Sequence, residues 1–137
     1  MSENDVAKRT IRLLLAIESA AFITAALAHL GVWISGYEHR KAAIAESVIG
    51  IVLAIGLVWT WIRPAAARSA GLIAQGFALF GTLVGLVTIA LGIGPRTVPD
   101  LEFHTAIVAT LVIGLWRVAH GRVRAPAAPG REGSQAA

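Results

Sequence analysis

Four apolar stretches, each long enough to cross a bilayer, fill most of this 137-residue chain, and ionisable side chains interrupt them at Glu18, His29, Glu46 and His104. About 20 apolar residues suffice for a helix to span the hydrocarbon core. The stretches at 13–34, 42–62, 70–93 and 98–119 therefore predict four transmembrane helices. Hydrophobic residues make up 56% of the chain and charged residues 15%, with a mean hydropathy of +0.71, a balance foreign to soluble domains of this size. The expected fold is all-α: an integral membrane four-helix up-and-down bundle with short connections. The chain has no cysteine, which excludes disulfides, thiol redox chemistry and thiolate-bound metal.

Residues 1–10 form a short polar segment, 11–121 the transmembrane domain, and 122–137, rich in Ala, Pro, Gly and Arg, a tail too poor in apolar surface to order itself. The first span is expected to close near Trp33, with Gly36 to Lys41 as a tight polar turn. Trp59, Trp61, Arg63 and Pro64 end the second span with interface-seeking aromatics, a charge and a helix breaker. Thr97 to Asp100 has capping-box spacing and opens the fourth. Nine Lys and Arg (Lys8, Arg9, Arg12, Arg63, Arg68, Arg117, Arg122, Arg124, Arg131) fall at one end of these spans and three (Arg40, Lys41, Arg96) at the other. The positive-inside rule then places both termini in the cytoplasm of a bacterial inner-membrane protein. A cleaved signal peptide ending at Ala26-Leu27-Ala28 is the alternative, and Glu18 inside its apolar zone speaks against it.

Glu46 precedes Ile55-Gly56-Leu57 by the same spacing as His104 precedes Ile113-Gly114-Leu115, and Leu30-Gly31 and Leu91-Gly92 close the odd-numbered spans. This reads either as a degenerate parallel duplication or as chance matching among common residues. Small residues at Ala21, Ala25, Ala28, Gly50, Gly56, Gly71, Gly76, Gly81 and Gly85 allow close helix contact, inside one bundle or between two copies.

His29, Glu46 and His104 all fall within about a turn of the same end of their spans, and in an up-and-down bundle the first helix neighbours the second and fourth. They form the candidate ligand-binding cluster, beneath outer-loop charges at Glu38, His39, Arg96, Asp100 and Glu102. Two imidazoles and a carboxylate suit a divalent metal, and two imidazoles suit a haem iron. The same trio also fits a purely structural pair between Glu46 and His29 or His104, or a site for a quinone or lipid. Glu18, eleven residues before His29, shares its helix face to within about 20° and lies roughly 16 Å away, along a stripe with Phe22 and Ala25. It is a candidate for a proton or cation relay, or for a hydrogen bond to Gln75 or Thr82 on the third span. His120, beside Gly121 and Arg122, reads as interfacial, and the pI of 10.7 follows from membrane orientation, so no nucleic-acid partner is expected.

The loop Gly94-Pro95-Arg96-Thr97-Val98-Pro99-Asp100, followed by His104, resembles a loop of small uncharacterised bacterial four-span membrane proteins, and the overall plan is similar to that of DoxX-type proteins. The resemblance implies the four-helix fold and no catalytic residue. Small multidrug exporters share four spans and an acid in the first, but this chain differs in its charge bias and outer histidines. The expected function is a non-enzymatic membrane protein, acting as an accessory or assembly subunit or as a small lipophilic-ligand-binding module. Its ligand residues would be His29, Glu46, His104 and Glu18, and its partners the lipid bilayer and another copy or a larger membrane complex. The alternatives are a redox protein holding haem or a divalent metal at His29, Glu46 and His104, and a proton-coupled transporter that uses Glu18 as a dimer.

Overall fold

Each helix ends where its sequence removes the next hydrogen bond or reverses the backbone. In a computed structural model that describes residues 3–121, the order is α1 (Glu3–His29), α2 (Arg40–Ile62), a short 3-10 turn at Pro64–Ala66, α3 (Ala67–Ala90) and α4 (Val98–His120). The tail expected to be disordered lies outside the described residues. Helix α1 stops at His29, so the apolar residues Leu30 to Ile34, expected in the first span, lie instead in the connecting loop. The cause is Gly31. It takes φ +74°, while Val32 N–H bonds Leu27 O and Gly31 N–H bonds Ala28 O, the paired bonds of a Schellman ending. Helix α3 ends in the same way at Gly92, φ +79°, with Ile93 N–H to Thr88 O and Gly92 N–H to Ile89 O. It therefore closes at Ala90, short of the expected Ile93.

Pro64 offers no N–H, and α2 closes with Arg63 N–H on Trp59 O. At the start of α4 the Thr97 side chain accepts from Asp100 N–H, and the Asp100 carboxylate accepts from Thr97 N–H, completing the capping box.

Cross-helix contacts run in opposite chain directions, as an antiparallel bundle requires. Between α1 and α2, Arg12 meets Thr60, Ser19 meets Gly50 and His29 meets Glu46. Between α2 and α3, Gly56 faces Ala74 and Gly81 faces Ile49; between α3 and α4, Gly71 faces Val118 and Gly85 faces His104. The core holds Ile11, Leu15, Phe22, Ile49, Leu53, Ile107 and Leu111.

Each of the four helices is long and apolar enough to span a membrane. The distribution of polarity agrees with that. Glu18, His29, Gln75 and Asp100 are buried, whereas Leu13, Ile55, Ile73, Phe80, Val87 and Ile113 face outward, an arrangement that water penalises and lipid tails accept. At the N-terminal end of α1, Arg12 bonds the Thr60 carbonyl at 2.8 Å and lies 3.8 Å over the Trp61 ring. Arg68 bonds the Val118 and Ala119 carbonyls, so these arginines sit at one end of the bundle with their charge on helix-terminal oxygens.

Candidate functional site

At the opposite end, the last residue of α1 is clamped from two sides. His29 Nδ1 lies 2.8 Å from Glu46 Oε2 on α2, and its Nε2 lies 3.1 Å from Asp100 Oδ1 on α4. Both acids and the imidazole are buried. Each contact needs one proton, so the three groups hold at least two protons between them, one in each hydrogen bond.

Asp100 is held by more than His29. The Tyr37 hydroxyl donates to Oδ1 at 2.7 Å, and Thr97 Oγ1 donates to Oδ2 at 2.6 Å. The Tyr37 ring stacks on the His29 ring, with centroids 5.2 Å apart and planes 15° from parallel. Tyr37 sits in the 30–39 loop, and loss of solvent raises its pKa above the ordinary 10.0, against the lowering effect of its Thr97 contact. It remains a neutral donor through the physiological range. Nearby, exposed Glu38 has its pKa lowered by the backbone N–H groups of Gly36 and of Glu38 itself.

The sequence-predicted cluster is thus brought together in part. His29 and Glu46 pair, but His104 takes a different role. Its Nδ1 is 2.7 Å from the Asp100 main-chain oxygen, and because a carbonyl can only accept, Nδ1 carries the proton and Nε2 is left facing Gly85. Asp100 occupies the place expected of His104. Among the described residues, no group of three or more His, Asp or Glu side chains is arranged to hold a metal ion.

Two cavities lie at this end of the bundle, one lined by His29 and the other by its partner Glu46. One is a groove of about 480 Å³ between α1 and α4, lined by Ala21, Thr24, Ala25 and Ala28 on one wall and Pro99 and Phe103 on the other, with His29, Tyr37 and Asp100 at its polar end. Ala21 packs against the core as expected of a small residue, and together with Ala25 and Ala28 it also lines this trough, where their short side chains leave space. The other cavity, about 210 Å³, lies among α2, α3 and α4 and includes Glu46 and His104.

Glu18 is elsewhere and differently housed. It is fully buried, with Gln75 Nε2 donating to its two oxygens at 2.9 and 3.0 Å. Thr82, the other expected partner, donates instead to Ala78 O on its own helix. Gly114 on α4 makes room for the pair: a methyl there would lie 2.6 Å from Gln75 Nε2 and 3.0 Å from Glu18 Oε1. Phe22, packed edge-on against Phe103, lies between this layer and the His29 end.

Sequence reasoning missed Tyr37 and gave Asp100 only a cap and a place among the loop charges. A capping Asp uses its carboxylate on the first turn, but four lone-pair sites leave it free to accept from His29 and Tyr37 as well. That spare capacity was the available signal. No family model, curated protein or solved structure gives a significant match to this chain, so residue roles rest on the geometry above.

Proposed function

We propose that this chain is a non-enzymatic bacterial inner-membrane protein, with both termini cytoplasmic, that binds a lipophilic molecule with a polar head in the groove between α1 and α4. The observation that carries the reading is the groove itself. Its volume of about 480 Å³ falls within the roughly 300–1,000 Å³ of small-molecule sites, which are apolar clefts with a few convergent polar groups. Here the walls are alanine, threonine and phenylalanine, and the convergent groups are His29, Tyr37 and Asp100. A quinol-like or lipid head with a hydroxyl would donate to the Tyr37 oxygen, whose own proton is engaged by Asp100, and its tail would follow the alanine wall toward the bilayer.

The polar end is preorganised. Tyr37 is held by Asp100, Asp100 by Thr97 and His29, and His29 by Glu46, so little ordering remains to be done when a ligand arrives. The transporter reading lacks comparable support, since Glu18 lines neither this groove nor the smaller cavity.

Photolabelling with a diazirine-bearing long-chain ubiquinol analogue tests the proposal. Label should map to the segments 20–29 and 99–103, should be competed by the unlabelled analogue, and should fall sharply in Ala25→Phe, which fills the trough. Uniform labelling of the lipid-facing helices, unaffected by that substitution, would contradict it.

A further inference from the structure

We propose that the smaller cavity, lined by Glu46 and His104, is a separate binding site for a small protonated primary amine bearing a short alkyl chain.

The starting point is an unmet hydrogen-bonding demand. Glu46 is only 5% exposed; its Oε2 is held by His29, but its Oε1 has no hydrogen-bond partner among the described residues. A buried carboxylate oxygen left unbonded is costly, and this one belongs to a residue lining a cavity of about 210 Å³. A second acceptor lines the same cavity. His104 spends its Nδ1 proton on the Asp100 carbonyl, so in the neutral ring Nε2 is the acceptor, and the missing side chain of Gly85 leaves that nitrogen approachable. A third is Thr88, whose hydroxyl donates to Gly85 O at 2.7 Å and keeps its own lone pairs.

Three acceptors call for donors. A primary ammonium supplies three N–H groups and no acceptor. Its charge also suits a site where two carboxyl groups, Glu46 and Asp100, face a single imidazole. An anion would leave Oε1 unmet.

Apolar walls from Val84, Ile89 and Ile93 suit a short alkyl chain, and the volume, below the roughly 300 Å³ where drug-sized sites begin, suits only a small ligand. Lys41 also borders the cavity, but it is exposed, and its flexible stem lets the ammonium stay in water at the rim.

The two sites share no lining residue: His29, Tyr37 and Asp100 line the groove, whereas Glu46, Gly85, Thr88 and His104 line the smaller cavity. They are linked only through the hydrogen bond between His29 and Glu46.

Calorimetric titration of the full chain in nanodiscs with n-butylammonium chloride tests the site, with n-butanol and tetramethylammonium as controls. Saturable binding of n-butylammonium is expected, with both controls at least about tenfold weaker, since one has a single donor and the other none. Glu46→Gln should weaken it by about tenfold or more by removing the charge from the acceptor. Gly85→Ala lies outside the buried ion network and keeps a helix-favouring residue, so it tests the site without endangering the fold. Its methyl would sit 3.4 Å from His104 Nε2 and should lower n-butylammonium affinity while leaving quinol-analogue labelling of the groove intact. Equal binding of tetramethylammonium, no saturable n-butylammonium binding, or no change in either variant would overturn the proposal. So would saturable binding of zinc ion at Glu46 and His104 in place of the amine.

Discussion

Two buried carboxylates on neighbouring helices, Glu18 and Glu46, meet the same problem in different ways. Glu18 has one polar partner, Gln75, and like the core residues Leu15, Leu53 and Leu111 it has no exposed surface. Glu46 belongs to a chain that runs through His29 and Asp100 to Tyr37 and Thr97, with a cavity on either side. An acid within an apolar span therefore does not by itself mark a site. What distinguishes the two is the space around them. Glycine at 114 admits the Glu18 pair and leaves nothing over, whereas alanines at 21, 25 and 28 leave a trough.

Substitution of the central imidazole breaks the comparison most severely. His29→Ala leaves two buried carboxylates facing each other without a donor between them, and should cost about 3–5 kcal/mol of stability, the usual penalty for breaking a buried ion pair from one side. Reversible unfolding in mixed micelles would measure it, and a loss no greater than that of Glu18→Gln would contradict the contrast.

Gly114→Ala attacks the sealed layer. Its methyl would lie 2.6 Å from Gln75 Nε2, an overpacking expected to cost about 1–3 kcal/mol while leaving ligand retention at the far end unchanged. The same unfolding assay, paired with photolabelling, separates the two effects.

Tyr37→Phe should lower stability by only about 1 kcal/mol, the net value of one hydrogen bond. Its effect on the groove should be larger in proportion, because the hydroxyl is one of the few polar groups there. A parallel loss of both would place Tyr37 in the fold rather than the site.

The smallest effect is a titration. Tyr37 is the chain's single tyrosine, so tyrosinate absorbance reports on it alone. Its raised pKa means the folded protein holds the phenolic proton more tightly than the unfolded chain does. The associated stability is fully present below the unfolded value near 10.0 and is lost as pH rises through the higher folded value. Ionisation at or below the ordinary value would contradict the burial of the hydroxyl.

Much of the fold was legible because membrane helices announce themselves by length and hydropathy, and because Thr97 and Asp100 carry a capping pattern with local meaning. The pairing of Glu46 with His29 was legible as one of two choices, His104 being the other, since all three lie near the same end of their spans. So was the choice of Gln75 as one of two partners for Glu18. What could not be read were quantities set by how far one helix is shifted along its neighbour. Whether Asp100 or His104 faces His29 depends on about one turn of α4, and hydropathy is silent on that. The end of α1 at His29 was hidden because Leu30 to Ile34 continue the apolar run past the Gly31 turn. The alanine stripe was legible as small, but small residues serve equally for contact and for vacancy, and only packing decides between them.

The most direct test of the account is native mass spectrometry of the full chain extracted gently from its own membrane, alongside Ala25→Phe. The account predicts a bound apolar molecule on the wild-type chain that is absent from the variant while both remain folded. A wild-type chain that carries no such mass, or a variant that retains it equally, would contradict the groove as a ligand site.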